Sequence, residues 1–202
     1  MTLLLIMASA AGYLLGSIPT GYLVGRANGI DIRQWGSGAT GGTNVLRTLG
    51  WKAAIITGAG DLLKGLVAAL IGYYLAGDWG YALGALLAAI GHAYPVWLGF
   101  RGGKSVATGA GGVLPLHPLA FLAGFVTGMA AIIPTRYVSL GSLVATATAS
   151  ITIWLSDAPL AHKLYLAGLF LVIYVRHWEN IKRLAAGKEN KFGQQAKKVS
   201  ES

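Results

Sequence analysis

The sequence predicts an all-α polytopic membrane protein: seven transmembrane helices, one of them short, with glycine-rich cytoplasmic loops. Three observations predict it. Hydrophobic residues make up 54% of the 202-residue chain and charged residues only 11%, against about 25% charged in an ordinary soluble domain. Apolar stretches recur at Thr2 to Val24, Ala53 to Gly77, Trp79 to Leu98, Val106 to Pro134, Val138 to Leu155 and Pro159 to Val175. A helical crossing takes roughly 20 such residues, and the stretches lack the alternation of barrel strands. The basic residues gather between the stretches, only Lys64 and Lys163 lying within them.

The first stretch has no basic n-region and outruns a signal-peptide core of about 7 to 15 residues, so it reads as a membrane helix. The second and third are separated near Asp78. The fourth contains "PLHP" (Pro115 to Pro118), where two prolines remove two backbone donors and favour a break. The positive-inside rule supports that break. With it, the segments around 25–52, 100–105 and 134–137 and the C-terminal tail share one side, and Lys163 is the only base on the other. The N-terminus is then outside and the C-terminus cytoplasmic. The piece from Ser105 to Leu114 cannot cross ~30 Å at 1.5 Å per residue, so a short helix packed among the others is expected. No repeat, linker or cysteine divides the chain, which reads as one integral-membrane domain, 1–202, with a basic tail from about 179.

"GSGATGGTN" (36 to 44) opens with G-x-G-x-x-G, but it follows a membrane helix instead of a strand, so no dinucleotide fold is implied. Glycines still let backbone N–H groups approach an anion. Gly38, Gly41 and Gly42, with Ser37, Thr43 and Asn44 as side-chain donors and the fork of Arg47, suit phosphate. "GFRGGKSVATG" (99 to 109) misses the P-loop by one residue, since Leu98 stands where glycine is needed. What remains is Lys104 at a helix start, flanked by Gly102, Gly103 and Ser105, which makes an anion site by itself. In "RHWENIKRLAAGKENKFG" (176 to 193), His177 and Asn180 are i, i+3 neighbours on one helical face, with Arg183 close by. Asp61 and Lys64 ("DLLKG") lie inside a span, where charges cost several kcal/mol unless paired. Lys64 is read as the partner of Asp61, and Ser142 as a donor near the cytoplasmic start of the sixth span. His92 stands near the cytoplasmic end of the third span, whereas His117 and His162 fall on the outer side as spectators. Four scattered histidines give no metal site, so neither metal nor cofactor is expected.

All three loops and the Asp61–Lys64 pair face one compartment, which describes a receptor for small polyanions at the membrane surface. An anion transporter or channel is the alternative class, but its site would sit near the bilayer midplane between inverted repeats. No His-x₄-Asp follows any histidine, and no Gly-x-Ser-x-Gly elbow occurs.

From "GSIPTGYLVGR" through "GSGATGGTNVLRTLGWKAA", "DLLKG", "GHAYPVWLGFRGGKSVATG" and "RHWENIKRLAAGKENKFG", nearly the whole chain resembles the bacterial glycerol-3-phosphate acyltransferases that use acyl phosphate. The departures are Ala39 for the usual Asn, Gly42 for Ala and Ser105 for Gly. The resemblance implies a seven-span enzyme of the bacterial inner membrane with a cytoplasmic active site. Its reaction would move a fatty acyl group from acyl phosphate to the 1-hydroxyl of sn-glycerol 3-phosphate, giving lysophosphatidic acid and phosphate, the first step of phospholipid synthesis. Acyl phosphate, glycerol 3-phosphate and membrane lipids are the implied partners, with no nucleic acid and no obligate protein partner. Acyl phosphate is already an activated anhydride, so the site must chiefly hold two anions together and stabilise an oxyanion. Ser37, Arg47 and Lys104 are the implied phosphate ligands, and His177 and Asn180 orient glycerol phosphate.

Overall fold

A computed structural model describes residues 1–198, and among them the fold is helical, with one isolated bridge between Trp35 and Lys198. The first apolar stretch forms two helices, α1 (Thr2–Ser17) and α2 (Thr20–Ala27). Ile18 takes φ −58 and ψ 114 between them, as the residue before Pro19 must. Then come α3 (Gly42–Leu49), α4 (Trp51–Ala93), α5 (Val106–Val113), α6 (Pro118–Thr135), α7 (Val138–Trp154), α8 (Leu160–Arg176) and α9 (Trp178–Ala185).

Helix α4 is two arms, broken at Ala76 (φ −149) and Gly77 (φ 59). Gly77 supplies the positive φ, and Gly72 and Gly80 let the arms touch: a Cβ on Gly72 would stand 2.1 Å from the Gly80 oxygen. The expected turn near Asp78 is therefore present, and so is the break at "PLHP", which separates α5 from α6. Backbones approach closely elsewhere too. A Cβ on Gly12 would lie 2.3 Å from the Gly84 oxygen of α4, and one on Gly65 1.9 Å from the Thr108 oxygen of α5. Small residues at helix crossings are how apolar helices gain van der Waals contact where lipid offers no hydrophobic drive.

The core runs through Ala69, Tyr81, Ala85, Tyr165, Leu166 and Ile173. Tyr81 Oη and Tyr165 Oη donate to the Gly112 and Gly109 oxygens at 2.6 and 2.9 Å, anchoring short α5 in the interior. The outer surface is equally apolar, with Leu3, Ile6, Ile55, Leu122, Phe125 and Leu171 exposed. Helices apolar on both inner and outer faces belong in a membrane. Thr2–Ala27, Trp51–Leu98 and Pro118–Thr135 are long and apolar enough to cross one.

The bundle has two distinct ends. At one, the α4 break, the 114–117 turn and the 155–159 turn meet: His117 Nε2 and His162 Nδ1 are 2.9 Å apart, and His162 Nε2 lies 3.2 Å from Asp78 Oδ1. The other end carries α3, α9 and the starts of α5 and α7 around a polar cavity.

Candidate active site

Side-chain and backbone hydrogen bonds shape the two loops that border the cavity. Asn44, on the first turn of α3, is 2% exposed and spends its amide inside the glycine loop. Its Nδ2 donates to the oxygens of Ile32, Trp35 and Ala39 at 3.2, 2.9 and 2.9 Å, and its Oδ1 accepts from the Ser37 N–H at 3.1 Å. The sequence reading expected Asn44 to be a substrate donor; it is instead the clamp that shapes the loop, and it reaches the cavity only as lining. Half of the expected loop is helix, because Gly41 N-caps α3 in an extended conformation and Thr43, Asn44 and Arg47 follow on its turns.

The Lys104 loop is held from both sides. Gly102 and Gly103 donate to the Ala93 and His92 oxygens at 3.2 and 3.0 Å, while Arg176 Nε and Nη2 donate to the Gly103 and Gly102 oxygens at 3.0 and 3.3 Å. A Cβ on Gly103 would fall 2.0 Å from His92 Nε2, so the His92 ring sets the path of the loop. Ser105 adopts φ 62, and its Oγ donates to the Ala89 oxygen at 2.6 Å. That bond offsets the cost a side chain meets in the left-handed region, where a glycine would meet none.

The cavity, about 280 Å³, is lined by Ser37, Gly41, Gly42, Thr43, Asn44, Arg47, Asp61, Lys104, Ser105, Ser142, His177 and Asn180 of the predicted set, with His92 and Arg183. Gly38, Gly102, Gly103 and Lys64 are not part of the lining. Lys64 instead pairs with Asp61 at 2.8 Å and donates to the Ile18 oxygen at 2.8 Å, which ties the α1–α2 joint to α4. Asp61 also lies 3.4 Å from His92 Nδ1. Ser142 Oγ donates to the Val138 oxygen of its own helix at 2.9 Å. His117 and His162 lie at the far end, as expected.

Four helices, α3, α5, α7 and α9, direct their N-terminal turns at this cavity, and none has a side-chain cap. Uncapped N–H groups and aligned dipoles make each a place for negative charge. Arg47, Lys104 and Arg183 add full charges. Burial is the main reason the Lys104 ammonium is brought down to about 8, the neighbouring cations adding to the effect, and burial likewise pulls Arg47 down. His177, between α8 and α9, is brought down to about 4, first by burial and then by the Lys104 charge. Its Nδ1 lies 2.8 Å from the Ile173 oxygen, so that nitrogen carries the proton and Nε2 keeps its lone pair.

Sequence reasoning missed Glu189. Its carboxylate, 6% exposed, accepts from Asn180 Nδ2 (2.6 Å), Ser139 Oγ (3.0 Å) and Arg183 Nε (2.7 Å). Lys104 Nζ donates to Asn180 Oδ1, so Asn180 bridges cation and carboxylate. The signal was faint: one of three acids in a basic tail, just past the Gly187 turn. From there the tail crosses the site. Arg47 Nη2 donates to the Asn190 oxygen (3.0 Å), Ala196 N to the Arg47 oxygen (3.1 Å) and Gly36 N to the Lys197 oxygen (2.9 Å).

A family model described as "Glycerol-3-phosphate acyltransferase" matches residues 6–187. A glycerol-3-phosphate acyltransferase of Symbiobacterium thermophilum is 58% identical over 96% of this chain and 97% of the relative. One from a Synechococcus species is 48% identical over 94% and 95%. Among solved structures, PlsY (YgiH), an integral membrane glycerol 3-phosphate acyltransferase in its glycerol 3-phosphate form, superposes with a TM-score of 0.90 at 37% identity, covering 94% of this chain and 96% of that one. Its lysophosphatidic acid form gives 0.87 at 36% identity, covering 94% and 95%. With the fold and nearly the full length in agreement, this chain belongs to the glycerol-3-phosphate acyltransferase family, multi-pass enzymes of the membrane.

Proposed function

We propose that this chain transfers a fatty acyl group from acyl phosphate to the 1-hydroxyl of sn-glycerol 3-phosphate at the cytoplasmic face of a bacterial inner membrane. Seven spans would place the N-terminus outside, and both the C-terminus and the site inside. One observation carries the reading: four helix N-termini and three cations surround a cavity large enough for two phosphate groups. That arrangement supports holding two mutually repelling anions side by side, the main task of this reaction.

The glycerol hydroxyl oxygen attacks the acyl carbonyl, a new carbon–oxygen ester bond forms, and the carbon–oxygen bond to phosphate breaks. Ser37, Arg47, Lys104 and the free N–H groups of Gly42 and Thr43 hold the phosphates. Ser105 and Ser142 border them, and Asp61 with Lys64 braces the floor. The backbones of Gly38, Gly41, Gly102 and Gly103 set the two loops. Asn180 orients glycerol phosphate, and neutral His177 presents Nε2 to its hydroxyl. A histidine held near 4 is too weak a base to lead the proton transfer, which supports the departing phosphate as the acceptor. An apolar cavity reached past Val106 and Ala110, shared by both cavities, supports binding of the acyl chain between helices.

Purified protein in lipid, given glycerol 3-phosphate with palmitoyl phosphate or palmitoyl-CoA, tests this. Phosphate and lysophosphatidic acid should appear only with the acyl phosphate and vanish in Lys104→Ala. Turnover with the CoA ester alone would overturn the donor assignment.

A further inference from the structure

The main-chain groups of Gly102 and Gly103 are all spent within the protein, and Arg176 takes the two oxygens. We propose that Arg176 is the positioning residue of Lys104: its guanidinium clamps the loop from outside the cavity and so aims the ammonium at substrate phosphate. This inference rests on the phosphate-binding reading above.

The glycine N–H groups donate to the Ala93 and His92 oxygens at 3.2 and 3.0 Å. The glycine oxygens accept from Arg176 Nη2 and Nε at 3.3 and 3.0 Å. Neither glycine lines the cavity, and Arg176 does not line it either, whereas Lys104 and Ser105, next in the chain, both do. The loop is therefore a mount for one side chain and not a cradle of glycine N–H groups. Carbonyl oxygens turned toward the cavity would repel phosphate, and a fork bound behind them keeps them turned away. The two oxygens belong to consecutive residues, and one rigid planar group reaches both, which the single ammonium of a lysine does not match. Tyr94 holds that plane: the guanidinium carbon stands 5.1 Å from the centre of its ring. Tyr94 ends α4, and its oxygen accepts from Tyr13 Oη of α1 at 2.9 Å. Arg176 is the last residue of α8 and directly precedes His177, so the clamp fixes the Lys104 loop against α1, α4 and α8 together. Position matters because Lys104 Nζ donates to Asn180 Oδ1. A shifted loop would carry the ammonium off the residue that orients glycerol phosphate. Charge alone does not account for Arg176. Burial is the larger effect on Lys104, but the Arg176 charge also disfavours its ammonium. A base recruited only for the membrane surface would leave its donors to the headgroups, whereas these point inward to a loop.

The test compares the parent, Arg176→Lys and Arg176→Gln, each purified in lipid, by two readouts. The first is calorimetric titration with glycerol 3-phosphate and no acyl donor, so an error in the donor assignment does not enter it. Both variants should bind about tenfold more weakly, the scale of one hydrogen bond to a charged group, although the lysine keeps the charge. The second is acylation by an amine-reactive reagent, followed residue by residue by mass spectrometry. Lys104, half-buried in the parent, should react about tenfold faster in the variants, in step with the lost affinity. Lys64, whose side chain is 5% exposed in its pair with Asp61, should stay protected. Parent-like affinity in Arg176→Lys overturns the clamp, and so does weaker binding with Lys104 unchanged. Lys104 and Lys64 reacting faster together also overturns it, because the loss is then a general loosening of the fold. A parent that binds no glycerol 3-phosphate overturns the substrate reading instead, and the labelling still decides the clamp.

Discussion

Two side chains of the cavity have surroundings that oppose charge. Lys104 is brought down to about 8 by burial and by neighbouring cations. Its ammonium is intact at neutral pH, so kcat/KM should hold below about pH 8 and fall above it. In Lys104→Arg, that alkaline limb should be missing from whatever activity remains, because a guanidinium does not titrate there. The linkage runs the other way. The unfolded lysine binds protons up to about 10.5, the folded one only to about 8, so Lys104 costs stability below 8 and the cost is relieved as pH rises through that window. Lys104→Met should therefore raise the melting temperature most at neutral pH, with the gain shrinking toward pH 10, as thermal unfolding across that range would register. His177, held near 4, stays neutral. An acid limb near pH 6 then belongs to the substrate phosphate, whose second proton titrates in that region. It should persist in His177→Asn, and a limb abolished by that change would restore His177 as the base.

At the scale of elements, two glycines in the same cavity region have opposite meanings. Gly103 faces His92 with no room: an added Cβ would stand 2.0 Å from the ring nitrogen, so Gly103→Ala must displace the ring or the Lys104 loop. Overpacking of this kind costs about 1–3 kcal/mol, and turnover should fall with it. Gly42 opens α3, and its nearest foreign atom to a Cβ is the Ala54 oxygen at 3.6 Å, an ordinary contact. Gly42→Ala should stabilise by about 0.4–1 kcal/mol by restricting the unfolded chain, measurable as a higher melting temperature. The same contrast explains what the sequence could reveal. The apolar stretches, the breaks at Asp78 and "PLHP" and the short α5 follow from length and proline chemistry, so they were legible. Helix α3 was not, because Gly42, Thr43, Asn44, Val45 and Thr48 are weak helix formers and it follows a glycine-rich loop that Asn44 clamps. Lys104, Arg47 and His177 were legible since charge is rare here, whereas Glu189 belongs to the site only through the fold of the tail.

The whole molecule is polarised along the membrane normal. The chain carries a formal charge of +9, and Arg101, Arg136, Arg176 and the α9 bases all stand at the cavity end. The opposite end holds the Asp78, His117 and His162 cluster, with Lys163 nearby. In the orientation proposed above, each base near an anionic leaflet is worth about 1 kcal/mol. The C-terminal tail reinforces the same polarity. Arg136 Nη2 donates to the Phe192 oxygen at 2.9 Å, and Phe192 N donates to the Arg136 oxygen at 2.6 Å, so the tail is strapped onto the cavity end rather than hanging from it. Because the chain has no cysteine, single cysteines report orientation without background. Asn28→Cys, exposed just after α2, and Ser156→Cys, exposed in the turn after α7, stand at opposite ends. A membrane-impermeant maleimide added to intact spheroplasts should label Ser156→Cys and spare Asn28→Cys until the membrane is opened. The reverse pattern would invert the molecule, and equal labelling of both before lysis would mean that the helices between them do not cross as an odd number of spans.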